Sequence, residues 1–295
     1  MTARIALVTG GTSGLGKAAA QALAAEGAAV ILVARDPARG LQVQRELRAA
    51  TGNQEVHALA ADLSSMESVR GLAGEVRRRW ERLDVLINCA GAIYRDRQLS
   101  ADGYELTFAL NHLGHFLLTN LLLDRLEAAG RSRIVNVASE AHRPNAIDFQ
   151  DLHSARSYGY SGDLFRPTAY GRTKLANILF TYELARRLQG TGVTANCVHP
   201  GFVASGFGRN NPGLLTFAFT LLRPLAASPR AGAEPLVYLA CSPEVEGVSG
   251  GYFIKKKPAR SSPASYDAAA AERLWAASAE LTGLPPTAPP GPPRG

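Results

Sequence analysis

Residues 5–16 of the chain read IALVTGGTSGLG, an apolar run of strand length that leads directly into a glycine-rich turn. An Ala-rich, helix-like segment follows through about Glu26, and a second apolar run ends near Ala34. Glycines allow a tight turn and let backbone amides at a helix N-terminus approach a pyrophosphate, whose charge the helix dipole stabilises. This order of elements predicts a dinucleotide-binding unit. The residues assigned to cofactor binding in the turn are Gly10, Thr12, Ser13, Gly14, Leu15 and Gly16.

Apolar runs of strand length recur along the chain and alternate with helix-like segments. The runs are nearly continuous in hydrophobicity, which is typical of strands covered on both faces and therefore of a parallel sheet. The runs begin at Ile5, Ala28, Val56, Asp84, Arg133, Val193 and Gly250. The pattern predicts an α/β protein: a single-domain, Rossmann-type doubly wound parallel sheet of about seven strands flanked by helices.

Two local signals mark where helices begin. Asp36 followed by Pro37 predicts a helix cap and a first-turn proline. The sequence Ser64-x-x-Glu67 predicts a capping box that opens a helix running to about Trp80. No internal repeat or linker divides the chain, so residues 1–284 are predicted to form one domain. The Pro-rich residues 285–295 are predicted to be a disordered tail.

Composition excludes several classes of protein. With 295 residues, 46% of them hydrophobic and 19% charged, the chain is not globally disordered. The net charge is +7, but the basic residues are scattered and form no stripe, so we expect no nucleic-acid partner. The longest uncharged run, residues 106–123, contains two histidines and two asparagines and would span a membrane poorly. No signal-type segment is visible, so we expect a cytoplasmic protein without stable membrane insertion.

Cysteine and histidine spacing gives no metal signal. The chain has three cysteines without a C-x-x-C pair, which argues against a disulfide framework and against a zinc site. His112 and His115 are three positions apart on an expected helix, but no third ligand is evident, so no metal is expected. The three lysines at 255–257 leave open a transient contact with an anionic membrane surface, although a solvated turn is the more common use.

The residues after the second apolar run indicate which dinucleotide binds. NAD-binding sheets usually place an acidic residue there, which accepts hydrogen bonds from the adenosine ribose. Here that place is Ala34, and Arg35 follows. An arginine offers a planar fork of donors to a 2′-phosphate, so we expect NADP(H) to be preferred over NAD(H). Asp36 could take the ribose role, although its place before Pro37 favours a helix cap.

Asp62 and Leu63 follow the third apolar run and are also assigned to the cofactor. Asp62 is a candidate for the adenine amino group. Its alternative use is as a turn residue before Leu63, and the sequence leaves both open.

Tyr170 and Lys174 lie four positions apart at the start of a segment, residues 170–188, with helical apolar spacing. On a helix that spacing puts both side chains on one face. Lowering the phenol pKa from about 10 by about three units takes about 4 kcal/mol of preferential phenolate stabilisation. We expect the Lys174 ammonium and a nearby nicotinamide cation to supply it. The alternative is a cation packed on an aromatic ring at a surface helix.

Further motifs follow in order: NCAG from Asn88, Asn111, Ser139 after RIVNVA, YGRTK from Tyr170 and PG from Pro200. With TGGTSGLG, this order resembles the short-chain dehydrogenase/reductase family over residues 4 to about 284. The stretches NHLGHFLLT, TKLANILF, HPGFV and RLWAASAELTG resemble its retinol-dehydrogenase-like branch. In this chain 31 positions separate Ser139 from Tyr170. The retinol-dehydrogenase-like branch has a similarly long interval between the corresponding residues.

The resemblance implies a catalytic tetrad of Asn111, Ser139, Tyr170 and Lys174. Ser139 would hydrogen-bond the substrate oxygen, and Tyr170 would give that oxygen a proton during reduction. Lys174 would bind the nicotinamide ribose and depress the tyrosine pKa. Asn111 would hold a water that connects Lys174 to solvent. From the residues alone, Asn111 is equally a helix residue that satisfies a neighbouring backbone.

The resemblance implies further cofactor contacts. Asn88, Ala90 and Gly91 would form a backbone wall beside the adenosine ribose. Val203 and Ser205 would contact the nicotinamide carboxamide and the phosphates, with Ser205 standing where the family often has threonine.

Two segments, near 140–168 and 205–228, fall outside the alternation of strands and helices and are predicted substrate-lobe insertions. The second contains LLTFAFTLL from Leu214. We expect the two segments to wall a pocket for an apolar small-molecule substrate. Alternatively, LLTFAFTLL packs on the core or on a partner subunit, which would make the protein a homo-oligomer. The aromatic residues of the first segment are Phe149, Tyr158, Tyr160 and Phe165.

These features predict an NADP(H)-dependent oxidoreductase, similar to retinol dehydrogenases, that interconverts a carbonyl and an alcohol on an apolar small molecule. The alternative is an NADP(H)-binding regulatory protein without significant turnover. An epimerase or dehydratase of nucleotide sugars shares Y-x-x-x-K but usually has a longer C-terminal substrate domain, so it ranks below both.

Overall fold

A computed structural model describes residues 3–158, 168–201, 203 and 227–285 of the chain. Strands and helices alternate through the first half. The strands are β1 (Ile5–Thr9), β2 (Ala29–Ala34), β3 (Val56–Ala60), β4 (Val85–Asn88) and β5 (Ser132–Val137). The helices are α1 (Gly14–Ala25), α2 (Pro37–Thr51), α3 (Met66–Arg79), α4 (Leu106–Phe108), α5 (Gly114–Leu121) and α6 (Leu123–Ala128). A π turn, Ala109–Leu113, joins α4 to α5.

The second half continues the alternation with longer connections. A 3₁₀ turn (Glu140–His142) follows β5, and two more precede β7 and the last helix, at Pro243–Val245 and Pro263–Tyr266. The strands are β6 (Val193–His199), β7 (Tyr252–Ile254) and β8 (Lys257–Pro258). The helices are α7 (Ala169–Arg187), α8 (Pro229–Cys241) and α9 (Ala268–Leu281).

Eight strands within the described residues form one sheet in the order β3-β2-β1-β4-β5-β6-β7-β8. All neighbouring pairs are parallel except β7 and β8. The predicted doubly wound parallel sheet is therefore confirmed. The seven predicted apolar runs supply β1 to β7. The two-residue β8 was not predicted, because Lys257 and Pro258 are exposed and carry no apolar pattern.

Both faces of the sheet are buried, as the nearly continuous apolar runs predicted. Leu7 and Ile31 pack on one face in a cluster that also includes side chains of α3, α5 and α7. Their neighbours Val8 and Leu32 point the other way and pack with side chains of α1 and α8. Because successive residues of a strand alternate between faces, all positions of β1 and β2 except Thr9 are apolar.

The helix caps agree with the sequence at one site and correct it at another. Asp36 caps α2, as predicted, and its Oδ1 accepts a hydrogen bond from the Ala38 backbone N–H at 2.9 Å. The cap of α3 is Ser65, whose Oγ accepts from the Ser68 N–H at 3.3 Å. Ser64 was therefore the wrong residue, because its hydroxyl bonds the Asp62 carboxylate instead.

Strand order reverses at β1, which lies between β2 and β4. In open α/β sheets ligands bind outside the carboxyl ends of the strands where the order reverses. That crevice lies at the glycine-rich turn after β1 and at the segment after β4. Among the described residues no helix is long and apolar enough to cross a membrane.

Candidate active site

The turn after β1 is built on glycines that no other residue could replace without strain. Gly10 has φ +66°, and a Cβ there would lie 2.9 Å from the Ala90 Cα. A Cβ on Gly16 would lie 2.8 Å from the Gly10 carbonyl carbon and closer still to its oxygen. Gly14 also has a positive φ, +51°. These approaches press the turn against the start of α1 and against the segment after β4.

The N-terminus of α1 is suited to an anion. Its N-cap, Ser13, makes no side-chain capping hydrogen bond, and the first turn of α1 holds no acidic residue. Ser13 is exposed, and Thr12, Gly14 and Leu15 are partly exposed. The first N–H groups of a helix and its dipole favour a negatively charged ligand. The turn therefore fits the pyrophosphate of a dinucleotide.

Thr9, which the sequence did not single out, joins the two halves of the crevice. Its buried hydroxyl accepts hydrogen bonds from the backbone N–H groups of Cys89 at 2.8 Å and Ala90 at 3.0 Å. The Asn88 side chain is also buried, and its Nδ2 donates to Thr119 and to Asn136. Buried hydrogen bonds thus hold the segment after β4 in place. Ala90 is partly exposed and Gly91 is exposed beside the glycine-rich turn.

Arg35 and Asp62 follow β2 and β3 at the same edge of the sheet. Arg35 is exposed, and its charge lowers the pKa of Tyr94, which burial raises overall. Oδ1 of Asp62 accepts from the Ser64 backbone N–H at 2.9 Å and from the Ser64 hydroxyl at 2.7 Å. Asp62 therefore makes the bonds of a turn residue, and its contact with the adenine amino group stays a prediction. Leu63 is buried in the core beneath it.

Ser139 lies directly after β5 and caps the Glu140–His142 turn. Its Oγ accepts from the Ala141 N–H at 3.2 Å and hydrogen-bonds the phenol of Tyr170. Tyr170 lies in the first turn of α7 and is half-buried. Burial raises the pKa of Tyr170 well above its usual value, while the bond to Ser139 lowers it in part. Serine and tyrosine thus meet as expected.

Lys174 lies one turn after Tyr170 on α7, with its side chain only 3% exposed. Its Nζ donates to the Val137 carbonyl at 3.0 Å and lies 5.6 Å from the centroid of the Tyr170 ring. Burial lowers the pKa of Lys174 to about 8. The expected shared helix face is present. The expected lowering of the Tyr170 pKa by Lys174 and a nicotinamide cation stays a prediction, because in this structure burial raises that pKa and Lys174 Nζ is bonded to a strand carbonyl.

Asn111 lies in the π turn and clamps a neighbouring backbone. Its Oδ1 accepts from the Ala92 N–H and its Nδ2 donates to the Ala92 carbonyl, both at 2.9 Å. Its own carbonyl accepts from Asn177 Nδ2 at 2.9 Å and contacts His115 Nδ1 at 3.1 Å. The side chain of Asn111 thus satisfies a neighbouring backbone, which was the alternative use, and the water-holding role that the resemblance implied stays a prediction.

His112 and His115 are fully buried beside this turn. His112 Nε2 contacts Ser278 Oγ at 2.9 Å, which ties α9 to the turn. Burial lowers the pKa of His112 to about 4 and that of His115 to about 3, so both rings are neutral. In the described ranges no group of three histidine, cysteine or acidic side chains could hold a metal ion.

Two residues of the first insertion, Asn145 and Thr168, hold the site together, and neither was assigned a role from the sequence. Asn145 Nδ2 donates to the Ala141 carbonyl at 2.7 Å, and its Oδ1 accepts from the Thr168 N–H at 3.0 Å. Thr168 caps α7. A Cβ on Gly171 would lie 2.5 Å from the Ala141 oxygen and closer still to Asn145 Nδ2. The only signal for this contact was a glycine in the first turn of a helix.

The rest of the first insertion is fastened to α7 by Arg172. Its guanidinium donates to Ser154 Oγ at 3.0 Å and to the Ser157 carbonyl at 2.7 Å. Phe149 packs with a cluster of α7 and α9 side chains, and Tyr158 donates to the Tyr94 carbonyl at 3.1 Å.

Val203 lies beside the glycine turn. A Cβ on Gly232 of α8 would meet Val203 at 2.5 Å and Leu15 at 2.8 Å, so these two predicted cofactor residues are neighbours. Several predictions fall outside the described residues: Ser205, Tyr160, Phe165, LLTFAFTLL and most of the Pro-rich tail.

Comparison with known proteins agrees with this arrangement. Residues 4–150 match the family model for short chain dehydrogenases. Human retinol dehydrogenase 13 is 44% identical over 285 residues, which cover 94% of this chain and 84% of that protein. Human retinol dehydrogenase 14 is 44% identical over 300 residues, which cover 96% and 88%.

Solved structures show the same fold. An uncharacterized protein from Mycobacterium paratuberculosis is 33% identical, with a TM-score of 0.75 and coverage of 95% of this chain and 94% of that one. A candidate NAD(P)-dependent gluconate 5-dehydrogenase from Beutenbergia cavernae, with bound NADP, is 28% identical, with a TM-score of 0.66 and coverage of 86% and 95%. Fold, motif order and sequence identity together place the chain in the short-chain dehydrogenase/reductase family, in its retinol-dehydrogenase-like branch.

Proposed function

We propose that the protein is an NADP(H)-dependent oxidoreductase that interconverts a carbonyl and an alcohol on an apolar small molecule, with Tyr170 as general acid and base. One observation carries the proposal: Ser139, Tyr170 and Lys174 meet after the carboxyl end of β5. They lie at the same edge of the sheet as the glycine-rich turn. Proton-transfer groups next to a dinucleotide crevice are what carbonyl reduction needs.

The cofactor would be held by groups from three strand ends. The N–H groups at the start of α1 would bind the pyrophosphate, and Ala90 and Gly91 would line the adenosine ribose. Arg35 is exposed at the end of β2, without a carboxylate at Ala34 to repel a 2′-phosphate. The bound NADP in the Beutenbergia cavernae relative supports this choice. When bound, NADP(H) supplies or accepts the hydride.

The proton chemistry belongs to Tyr170 and its neighbours. Because burial raises the pKa of Tyr170, the phenol holds the proton that a substrate oxygen would receive, and transfer of that proton depends on groups that stabilise the phenolate. The Ser139 hydroxyl, already bonded to that phenol, would bond the same oxygen and fix its position. Lys174, largely protonated at neutral pH with a pKa of about 8, would stabilise the phenolate left behind.

The substrate class rests on relatives and on composition. The curated relatives are named retinol dehydrogenases, the first insertion holds four aromatic residues, and the second contains the apolar run LLTFAFTLL. These features support an apolar aldehyde, ketone or alcohol as the substrate.

The test is NADPH oxidation with a panel of hydrophobic aldehydes and ketones. The variants are Tyr170→Phe and the control Tyr238→Phe, which removes an exposed hydroxyl on α8 that bonds Glu244. We expect Tyr170→Phe to abolish most turnover while NADPH still binds, and Tyr238→Phe to behave like the wild type. If Tyr170→Phe leaves oxidation with every active substrate untouched, the assignment of Tyr170 is wrong. NADPH binding without turnover on any substrate would favour the regulatory alternative.

A further inference from the structure

His142 is a buried histidine next to the reacting groups that the proposed chemistry does not use. It is the last residue of the 3₁₀ turn that Ser139 caps, and its side chain is fully buried. Its ring packs edge-on against Tyr252, with 5.3 Å between ring centroids. The ring therefore lies beneath the serine, enclosed between the turn and β7.

Both ring nitrogens of His142 have backbone partners. Nδ1 lies 2.6 Å from the Ser139 carbonyl oxygen, and Nε2 accepts the Ser262 backbone N–H at 2.9 Å. A backbone N–H can only donate, so Nε2 carries no proton. The proton of the neutral ring is then on Nδ1, which donates to Ser139. This network assigns one tautomer to His142.

The Ser139 carbonyl is held twice by the same residue, because the His142 backbone N–H also donates to it at 3.1 Å. Fixing that carbonyl fixes the peptide plane after Ser139, where ψ is 151°. The plane and the side chain share one Cα, so the direction of the Ser139 hydroxyl depends on the same contacts. The other end of the ring reaches Ser262, which is 120 positions away along the chain.

Protonation of His142 would break this arrangement. A cationic ring carries a proton on both nitrogens, and Nε2–H would then face the Ser262 N–H. Burial lowers the pKa of His142, the hydrogen bond to Ser139 and the charge of Glu140 act against burial, and the charge of Arg143 acts in the same direction as burial. The titratable and charged groups around the ring and its segment are Glu140, Arg143, Tyr252, His199, Tyr170, Lys174 and Tyr266.

We propose that His142 is a positioning residue for Ser139: in its neutral form it orients the serine and ties it to the segment before α9, and acid releases that tie. The inference rests on the proposed function, since it gives Ser139 the substrate-orienting role. It adds a residue that acts on catalysis only through Ser139. The contact also makes the conformation of residues 259–266 a condition for activity.

Two substitutions separate positioning from simple packing. His142→Leu removes both ring hydrogen bonds, whereas His142→Gln offers a donor and an acceptor that do not titrate. We expect His142→Leu to lower kcat about 10- to 100-fold, the range for a displaced catalytic group, with KM and the NADPH Kd little changed. We expect the kcat of the wild type to fall at acid pH as His142 becomes protonated, and we expect His142→Gln to retain more of kcat than His142→Leu and to lose that fall.

Controls keep the outcomes distinct. His57→Gln changes a histidine of β3 that pairs with Glu55 and should leave the pH profile unchanged. Absence of turnover in the wild type refutes the proposed function itself, whereas a fully active Ser139→Ala variant refutes the substrate-orienting role of Ser139. If Ser139→Ala is inactive while His142→Leu keeps the wild-type kcat, only the role of His142 is refuted. The same holds if the kcat of His142→Gln falls at acid pH as that of the wild type does. If His142→Leu does not fold, the dependence of kcat on acid pH in His142→Gln is sufficient to test the role of His142.

Discussion

Replacing Gly171 with alanine probes the close approach of α7 to the segment after β5. In an ordinary helix this change is favourable, because alanine has a helix propensity about 1 kcal/mol better than glycine. Here the new Cβ would lie 2.5 Å from the Ala141 oxygen, and closer still to Asn145 Nδ2. We therefore expect the opposite sign.

The size of the effect follows from the groups that must move. To reach an ordinary contact distance of 3.4 Å the Ala141 oxygen must shift by about 0.9 Å, and Asn145 by more. Both belong to the buried hydrogen bonds from Asn145 to Ala141 and from Thr168 to Asn145. Each buried group left without a partner costs about 1–3 kcal/mol. After subtracting the gain in propensity, we expect Gly171→Ala to destabilise the protein by about 1–5 kcal/mol.

Urea denaturation of the wild type, Gly171→Ala and Gly71→Ala measures this difference. Gly71 lies in the middle of α3, and a Cβ there would meet nothing within 4 Å. Gly71→Ala should raise the free energy of unfolding by about 0.5–1 kcal/mol. Gly171→Ala should lower it and also lower kcat, because the same bonds hold Ser139 near Tyr170. If Gly171→Ala were as stable as Gly71→Ala, the close approach would not exist.

Three further outcomes are expected. Arg35→Ala should weaken NADP(H) binding about 10- to 100-fold and NAD(H) binding far less, as the loss of a charged hydrogen bond predicts; equal losses by fluorescence titration would rule out a 2′-phosphate contact. Thr9→Val should lower the free energy of unfolding by about 1–3 kcal/mol, because the N–H groups of Cys89 and Ala90 lose their acceptor; an unchanged urea midpoint would contradict this. Because the folded pKa of Lys174 is about 8 against a usual value of 10.5, the unfolded chain binds more protons between these values. The contribution of Lys174 to stability should therefore rise by about 3 kcal/mol from pH 8 to pH 10.5, and Lys174→Met should abolish that rise in denaturation curves.

Local patterns in the sequence were enough to predict the parallel sheet and the helix α7, which carries Tyr170 and Lys174. The runs that became β1 to β7 are apolar at consecutive positions because both faces of the sheet are covered, and that is visible without a structure. Asp36 before Pro37 predicted its cap because a cap depends only on neighbours two or three residues away. The four-residue spacing of Tyr170 and Lys174 likewise predicted a shared face.

What could not be predicted depends on partners that are distant in sequence. Ser64 and Ser65 are equivalent by spacing, and only the bond from Ser64 to Asp62 decides between them. The pKa of Tyr170 is governed by burial, which a four-residue spacing does not reveal. His142 meets Ser262, and Asn145 meets Thr168, only after the insertion folds back on α7. Neither pairing leaves a repeat or spacing in the sequence.

The π turn between α4 and α5 shifts the phase of the helix that contains it. A regular α-helix advances about 100° per residue, so the one extra residue of a π turn rotates everything after it by about that angle. Side chains before and after Ala109–Leu113 therefore point to different neighbours, and all residues from 111 to 119 are buried. This stretch has no water-facing side, so a charge introduced at any of these nine positions has no route to solvent.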